Sequence, residues 1–239
     1  MKIIIDAGHG GKDPGATGNG FKEKDITIMI SKYQQKRFGE LGINVEMTRT
    51  ADATLENSAR TAKVRNSKAN ICISNHINAA GNPTASGTEV IHSIHSDGKL
   101  ANMIMDELVN AGANKRRVFC RQGNHGDYYF MHRETGSVET VIVEYEFITN
   151  KLGIERFMKD WQVYAETVVR AVCMYLGIKY FRKEVEKIAD TKNQTVSDWA
   201  KEGWNWAKEN GITDGNRPKD NMTREEMVTM LYRYDKMKK

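Results

Sequence analysis

The chain begins with an apolar β-branched run, Ile3-Ile4-Ile5, that leads directly into a glycine-rich turn with one histidine, Asp6-Ala7-Gly8-His9-Gly10-Gly11. A short apolar run bounded by turn residues is typical of a buried strand. The glycines permit positive φ and leave room for the imidazole. Open α/β sheets place their ligands beyond the carboxyl ends of such strands. His9 is therefore either a ligand-binding residue or a histidine that only forms hydrogen bonds in a turn.

Strand-like and helix-like segments alternate as far as about residue 176. This alternation predicts an α/β fold in which a twisted, mostly parallel sheet is flanked by helices on both faces. The predicted strands are 2–5, 43–48, 70–75, 87–92, 116–120 and 138–144; the predicted helices are 25–41, 56–68, 96–112 and 154–176, with two short ones at about 196–210 and 223–236.

The chain changes character after this region. A charged segment over 177–192 predicts a linker between a catalytic domain at 1–176 and a small C-terminal helical domain at 193–239. A capping box, Thr223 followed by Glu226, indicates where the last helix begins. Because a unit of under about fifty residues has a thin core, we expect it to depend on the first domain, a ligand or a second copy of the chain.

Composition narrows the classes of function. The 239 residues include 36 Lys and Arg against 31 Asp and Glu, a net charge of +5 that no single segment supplies. This modest excess favours mild attraction to a polyanion, whether cell wall, nucleic acid or lipid surface. Without a basic arm or a nucleic-acid-binding motif, we expect no nucleic-acid partner. Three cysteines, with no Cys-x-x-Cys pair, indicate no disulfide framework.

The sequence also bears on location. It has no stretch that is apolar and long enough for a transmembrane helix, so we expect no membrane insertion. The first strand starts at residue 2, with no signal-peptide pattern before it. We therefore expect synthesis in the cytoplasm, and release by another route if the protein acts outside the cell.

Four polar residues lie at predicted strand ends or beside turns: His9, Glu23, His76 and Glu144. In a parallel sheet these positions can meet at one edge. Two histidines and one carboxylate with an open fourth position form a common catalytic zinc site, which activates water and polarises a carbonyl. A second carboxylate that does not bind the metal must then move protons, and Glu144 suits that task.

Other interpretations stay open from the residues alone, because the four lie far apart and obey no local spacing rule. His76 could be a buried histidine whose hydrogen bonds are satisfied. Glu23 could favour a helix N-terminus through the helix dipole. Glu144 could form a salt bridge at the end of its strand.

Four segments, in the expected order, resemble the motifs of the zinc-dependent N-acetylmuramoyl-L-alanine amidases of the type 3 family. These are peptidoglycan-cleaving enzymes found as bacterial autolysins and phage endolysins. The resemblance covers roughly residues 1–176. It is carried by Asp6-Ala7-Gly8-His9-Gly10-Gly11 with Asp13-Pro14-Gly15-Ala16, by Glu23-Lys24-Asp25, by Ser74-Asn75-His76-Ile77-Asn78-Ala79 and by Val143-Glu144-Tyr145-Glu146-Phe147-Ile148-Thr149-Asn150.

The resemblance implies that His9, Glu23 and His76 bind Zn²⁺ and that Glu144 is the catalytic acid and base. It also makes Asn78, which follows the second histidine, a candidate substrate-binding residue.

Two regions depart from the family pattern. Glu146 replaces what is usually a small residue. Because residues i and i+2 of a strand share a face, its carboxylate could lie near Glu144 and raise one of the two pKa values; the alternative, which we favour, is that it turns outward. The segment around His125 matches poorly, and there His125 and Asp127 are either substrate-groove residues or surface residues.

The tail resembles an S-layer homology motif, on Trp199-Ala200, Glu209-Asn210-Gly211-Ile212-Thr213-Asp214-Gly215 and Met222-Thr223-Arg224-Glu225-Glu226. Such motifs bind secondary cell-wall polymers, often in sets of three, and one copy is present here. Trp199, Trp204 and Trp206 could stack on sugars as wall-binding residues or form a small core, which we favour for at least two of them. The unit could also mediate homo-oligomerisation.

The sequence thus predicts a hydrolase that uses zinc-activated water to cleave the amide between N-acetylmuramic acid and the L-alanine of the peptidoglycan stem peptide. We expect a phage endolysin rather than a host autolysin, because the signal-peptide pattern is missing. Two alternatives remain: a catalytically silent wall-binding protein, and a different zinc peptidase or deacetylase that acts on the wall.

Overall fold

The computed structural model describes residues 1–181, 196–213 and 224–237. The chain divides into two compact units, Met1–Phe181 and Arg182–Lys239. Most of the predicted linker, from residue 182 onward, lies outside the described residues, as does Thr223 of the predicted capping box. The predicted domain limits therefore stay predictions.

A mixed six-stranded sheet is the centre of the larger unit, with strands at the six predicted positions. Its order is β4-β1-β5-β10-β6-β7, and all neighbours run parallel except β10 and β6. The prediction of a mostly parallel sheet is confirmed. In the described residues the strands are β1 (Lys2–Ala7), β2 (Thr17–Gly18), β3 (Phe21–Lys22), β4 (Asn44–Met47), β5 (Ile71–Asn78), β6 (Thr88–Ile91), β7 (Lys115–Phe119), β8 (Gln122–Gly123), β9 (Gly126–Asp127) and β10 (Glu139–Phe147).

Helices cover both faces of this sheet, as predicted. One face carries α1, α3 and α5, and the other carries α2 and α4. The helices described are α1 (Glu23–Glu40), α2 (Asn57–Ser67), α3 (Lys99–Asn110), α4 (Phe130–Arg133), α5 (Lys151–Tyr175), α6 (Lys201–Glu209) and α7 (Arg224–Met237), with a 3₁₀ turn at Asp198–Ala200.

The apolar run Ile3-Ile4-Ile5 contributes side chains to two separate hydrophobic cores of the larger unit. Ile3 and Ile5 of β1 belong to the large core beneath α1, α3 and α5. Ile4 belongs to a smaller core with Val64 of α2 and Met131 of α4. Since successive side chains of a strand point to opposite faces, an uninterrupted apolar run is what an inner strand covered on both sides requires.

Two hairpins and one helix were not predicted from the sequence. β2 pairs with β3, and β8 pairs with β9, through two residues each. The helix α4 is a single turn of four residues. Segments this short contain less than one full period of any hydrophobic pattern, so periodicity cannot reveal them.

The smaller unit contains α6 and α7. Trp206 packs edge-on against Tyr234, with the ring centroids 6.2 Å apart, and Ile212 is buried. Trp199 is 90% exposed and Trp206 is 46% exposed. Trp204 is half-buried. The described residues therefore do not support the interpretation that at least two of the three tryptophans form a core. No helix among the described residues has the length and apolar character needed to cross a bilayer.

Candidate metal centre and active site

The loop that follows β1 holds His9 at the carboxyl edge of the sheet. His9 has φ of +61°, a conformation that residues other than glycine rarely adopt. Two buried arginines fix the loop: Arg60 donates to the carbonyl of His9 at 2.9 Å, and Arg49 donates to that of Gly8 at 3.0 Å. These bonds offset the strain of the His9 backbone.

A buried ion pair between Asp6 and Arg60 stabilises this loop. Asp6, at zero exposure in β1, accepts a 2.6 Å hydrogen bond from Arg60 and others from Thr48 and Ser74. Burial by itself would raise the pKa of Asp6, but the contact with Arg60 and the hydroxyl donors outweigh it and lower that pKa. The ionised carboxylate in turn keeps Arg60 oriented towards the loop.

Glu23 is the first residue of α1, and its buried carboxylate bridges two histidines. Its Oε2 accepts from the backbone N–H of Ala16 at 2.8 Å and lies 3.2 Å from His9 Nε2. Its Oε1 accepts from the N–H of Ile77 at 3.0 Å and lies 2.9 Å from His76 Nδ1. Glu23 therefore does more than interact with a helix dipole: it joins the turn after β1 to β5.

Two glycines provide the space for this cluster. A Cβ atom on Gly8 would lie 2.5 Å from Cε1 of His76 and 2.8 Å from the carbonyl oxygen of Asn75. A Cβ atom on Gly15, which has φ of +65°, would lie 2.6 Å from Oε2 of Glu23. Any larger residue at either position would displace a member of the cluster.

The donor set fits a divalent metal such as zinc. The nearest nitrogen and oxygen atoms of His9, Glu23 and His76 all lie within 4.8 Å of one another, and no other such group was found among the described residues. Asp13 Oδ2 lies 2.8 Å from Nδ1 of His9. With Nδ1–H donating to Asp13, Nε2 presents a lone pair to the Glu23 carboxylate, as metal-binding histidines with a carboxylate partner do.

Electrostatics point to the same conclusion. A histidine lone pair and a carboxylate oxygen at about 3 Å repel each other unless a proton or a metal ion lies between them. Burial would lower the pKa of His76, but the Glu23 carboxylate outweighs it and raises that pKa to about 9. The same contact raises the pKa of His9 and lowers that of Glu23, against the effect of burial in both cases. The cluster thus requires positive charge.

Glu144 lies on β10, directly beside His76 in the strand register. Its Oε2 atom is buried and has no hydrogen-bond partner among the described residues. Burial raises the pKa of this carboxyl to about 7, and the nearby His76 opposes that rise. No salt bridge to Glu144 is found in the described residues, so the alternative of a salt-bridged strand end is not supported. The structure thus brings all four predicted residues to one edge of the sheet.

The other candidate residues make contacts of their own outside the metal-ligand set. Asn78 donates to Glu89 Oε2 at 3.0 Å. His125 is exposed in the turn between β8 and β9. Asp127 is buried, and its oxygens accept from the hydroxyl of Ser93 and the N–H of Ile94. These contacts do not test a role in substrate binding, which stays a prediction for all three.

Glu146 neither approaches Glu144 nor turns outward. The strand register shifts between residues 144 and 147, which marks a β-bulge. The buried Glu146 Oε1 accepts from the N–H groups of Gly87 at 2.7 Å and Phe147 at 2.9 Å. Its Oε2 lies 3.5 Å from Arg156. The favoured outward orientation was wrong, because the bulge breaks the two-residue alternation on which face assignments depend.

Several supporting residues escaped sequence reasoning. Arg49 and Arg60 lie 41 and 51 residues from the carbonyl groups that they bind in the His9 loop. Nothing local distinguishes them from surface arginines. Asp13 lies four residues after His9 in the quoted motif, and its spacing could have indicated a histidine-orienting role.

Comparisons with known proteins agree with this geometry. Residues 3–195 match the Amidase_3 family model, described as N-acetylmuramoyl-L-alanine amidase. The sporulation-specific N-acetylmuramoyl-L-alanine amidase of Bacillus subtilis is 34% identical over 167 residues, which are 67% of this chain and 63% of that protein. The endolysin of Bacillus phage SPP1 is 33% identical over 163 residues, 66% of this chain and 59% of that protein. The chain thus spans less than two thirds of the length of either relative.

A solved structure shows the same fold. The catalytic domain of CwlV, an N-acetylmuramoyl-L-alanine amidase from Bacillus (Paenibacillus) polymyxa var. colistinus, is 27% identical, with a TM-score of 0.67 over 74% of this chain and 99% of that one. The family match, which covers most of the chain, and this likeness lead to one conclusion. The chain belongs to the Amidase_3 family of N-acetylmuramoyl-L-alanine amidases.

Proposed function

We propose that this protein hydrolyses the amide between N-acetylmuramic acid and the L-alanine of the peptidoglycan stem peptide. The observation that carries the proposal is the cluster of His9, Glu23 and His76 beside Glu144 of the neighbouring strand, whose buried Oε2 has no partner among the described residues. The family match and the named activity of its relatives support the choice of bond.

The protein's own residues divide the work between them. His9, Glu23 and His76 would hold the ion, and Asp13 fixes the tautomer and orientation of His9. A zinc ion bound there would lower the pKa of a water molecule to about 7 and polarise the scissile carbonyl.

Glu144 would carry the proton. In the metal-free site its raised pKa, about 7, lies near neutral pH, where a carboxylate can both accept a proton from the attacking water and release it again. The accepted proton then passes to the nitrogen of the leaving L-alanine, and the carbon–nitrogen bond breaks. Oε2 of Glu144 has no protein donor among the described residues, so none of these groups competes with the attacking water for that oxygen.

The direct test is mass spectrometry of purified peptidoglycan digested by the protein. We expect free stem peptides with a new N-terminal L-alanine, loss of these products with a metal chelator, and recovery when Zn²⁺ is restored. Cleavage between amino acids would instead favour a wall peptidase, and loss of acetyl groups would favour a deacetylase. Intact wall that retains the protein would favour the silent binder.

We also propose that the C-terminal unit binds a secondary cell-wall polymer. The support is its resemblance to an S-layer homology motif and the near-complete exposure of Trp199, at 90%. Trp199→Ala in the full chain should weaken cosedimentation with purified walls, whereas Leu152→Ala, an exposed apolar residue of the larger unit, should not. Equal cosedimentation of both variants would contradict this. Self-association through the unit stays a prediction.

We propose that the protein acts at the bacterial cell wall. The relatives include both a phage endolysin and a bacterial sporulation amidase, so they favour neither origin. The preference for an endolysin rests on the sequence pattern alone.

A further inference from the structure

Four side chains, one from each of four neighbouring strands, form a row from the candidate metal site to the edge of the sheet. In the strand register His76 of β5 lies beside Glu144 of β10, Glu144 lies opposite Glu89 of β6, and Glu89 lies beside Arg117 of β7. Residues paired in this way project from the same face of a sheet. Arg117 therefore shares a face with the proposed catalytic residues, two strands beyond Glu144.

A β-bulge directs two consecutive arginines at one buried carboxylate. The register shifts between Thr88 and Glu89, so both Arg116 and Arg117 lie against Glu89. The Nε atoms of both arginines donate to Oε1 of Glu89 at 2.9 Å, and Oε2 accepts from Asn78 at 3.0 Å. Glu89 is itself 2% exposed. The bulge and the buried anchor together fix where the guanidinium groups lie.

This arrangement leaves a positive charge facing solvent. One carboxylate opposes two guanidinium groups, so the group as a whole carries about one positive charge. The side chain of Arg117 is 56% exposed and lies over the ring of Phe119, with its Cζ 3.9 Å from the ring centroid. A guanidinium held by an ion pair on one side and a ring beneath is oriented in advance for a planar anion.

The distance from Glu144 suits a short peptide. Neighbouring strands are about 4.8 Å apart. The backbones at Arg117 and Glu144, which lie on either side of β6, are therefore about 10 Å apart. An extended chain covers about 3.3 Å per residue, and the span therefore corresponds to about three residues. A stem peptide whose scissile amide lies at Glu144 would bring its second or third residue to Arg117.

We propose that Arg117, oriented by Glu89, binds a carboxylate of the stem peptide two or three residues beyond the amide that is cleaved. This inference rests on the proposed function and specifies its substrate: an anionic stem peptide. The rival explanation is that the basic residues of β7, an edge strand, only discourage pairing with other strands. That role needs charge, but it needs no buried glutamate to orient it.

The test compares three synthetic muramoyl-tripeptides by kcat/KM. One has free carboxylates on the second and third residues, one is amidated on the second, and one is amidated on the third. We expect the wild type to prefer the first over one of the amidated substrates by about tenfold to a hundredfold. The disfavoured substrate identifies the carboxylate that is bound.

Arg117→Gln should abolish that preference through a higher KM for the fully anionic substrate, with little change for the disfavoured one. The matched control is Lys115→Gln, which removes one positive charge from the same strand; its amino group lies 3.9 Å from Asp106 of α3 on the opposite face. It should retain the preference.

Equal rates of the wild type on all three substrates, or an equal loss on all three in Arg117→Gln, would overturn the inference while leaving the amidase proposal intact. A wild type that cleaves none of them while it also leaves peptidoglycan uncut would overturn both.

Discussion

The loop that carries His9 and the strand end that carries Glu144 lie at the same edge of the sheet, but they treat buried polar groups in opposite ways. In the loop, the carbonyl groups of residues 7–9 all accept hydrogen bonds from Arg49 or Arg60. At the strand end, Glu144 Oε2 is buried without a partner in the part of the chain that the structure describes.

This difference suits the His9 loop to fixing the geometry of the site and Glu144 to a chemical role. An unpaired buried carboxylate costs free energy, whereas a fully bonded loop is stable in one conformation. The three carbonyl groups of the His9 loop are all hydrogen-bonded, whereas Oε2 of Glu144, on the strand beside His76, has no partner among the described residues. Groups with perturbed pKa values in such settings are characteristic of catalytic sites. On the proposed function, the first region would hold the ion in place and Glu144 of the second would carry the proton.

The largest effect should follow from removal of a proposed metal ligand, His76 of β5. His76→Ala should abolish zinc binding and lower the amidase rate by about a thousandfold or more, because the ion's charge stabilisation is lost. Metal analysis and turnover would be measured together. His95→Ala, which removes an exposed histidine, should change neither. A His76→Ala protein with one equivalent of zinc would show that the ligand assignment is wrong.

A smaller effect is expected at Gly8, whose backbone lies close to the ring of His76. Gly8→Ala would place a Cβ 2.5 Å from His76. We expect it to weaken zinc binding and to lower the free energy of unfolding by about 1–3 kcal/mol, because the ring must move. Gly39→Ala, in α1 with nothing within 4 Å of the added atom, should be neutral or slightly stabilising. Equal urea-unfolding curves for the two variants would contradict the close approach.

The orientation of His9 can be tested separately. Asp13→Asn keeps the size of the side chain but removes the charge 2.8 Å from His9 Nδ1. We expect zinc affinity to fall about tenfold to a hundredfold, while Glu144 chemistry in the zinc-saturated enzyme is largely preserved. Competition with a chelator measures the affinity. The control is Asp25→Asn, an exposed carboxylate in the first turn of α1; equal affinities in both variants would rule out an orienting role for Asp13.

The sequence predicted the long elements from local patterns, an apolar run or a helical period. The four candidate site residues obey no local spacing rule and were singled out by predicted strand ends and turns and by the family resemblance; the structure brings them to one edge of the sheet, and their roles stay a proposal. The sequence could not predict the parts fixed by distant partners. Arg60 binds a carbonyl 51 residues away, and the bulge that presents Arg117 depends on how β7 pairs with β6. The buried position of Glu146 likewise follows from a bulge in β10 that no alternation pattern reveals.

The smallest effect concerns another buried titratable group, His132 of α4. Burial lowers its pKa to about 4. The unfolded chain, with a pKa of about 6.5, binds the proton first as the pH falls. Stability should therefore drop between pH 7 and pH 5, by roughly 1–2 kcal/mol from this residue.

His132→Leu should reduce this acid loss, and His95→Leu should not. Urea unfolding of the metal-free proteins at the two pH values measures it, because the contributions of the zinc ligands are common to all three proteins and cancel. An unchanged pH slope in His132→Leu would mean that the ring has the same pKa in the folded and unfolded states.

The contrast between the two regions is tested most directly by Glu144→Gln, with zinc content, turnover and metal-free stability measured on the same preparation. We predict full zinc occupancy, a rate lower by about a hundredfold to ten-thousandfold, and a higher free energy of unfolding at pH 8, because burial disfavours the charged form of Glu144 and raises its pKa. A variant that keeps near-wild-type turnover, or that loses its zinc, would contradict the assignment of Glu144 as the proton carrier beside an independent metal site.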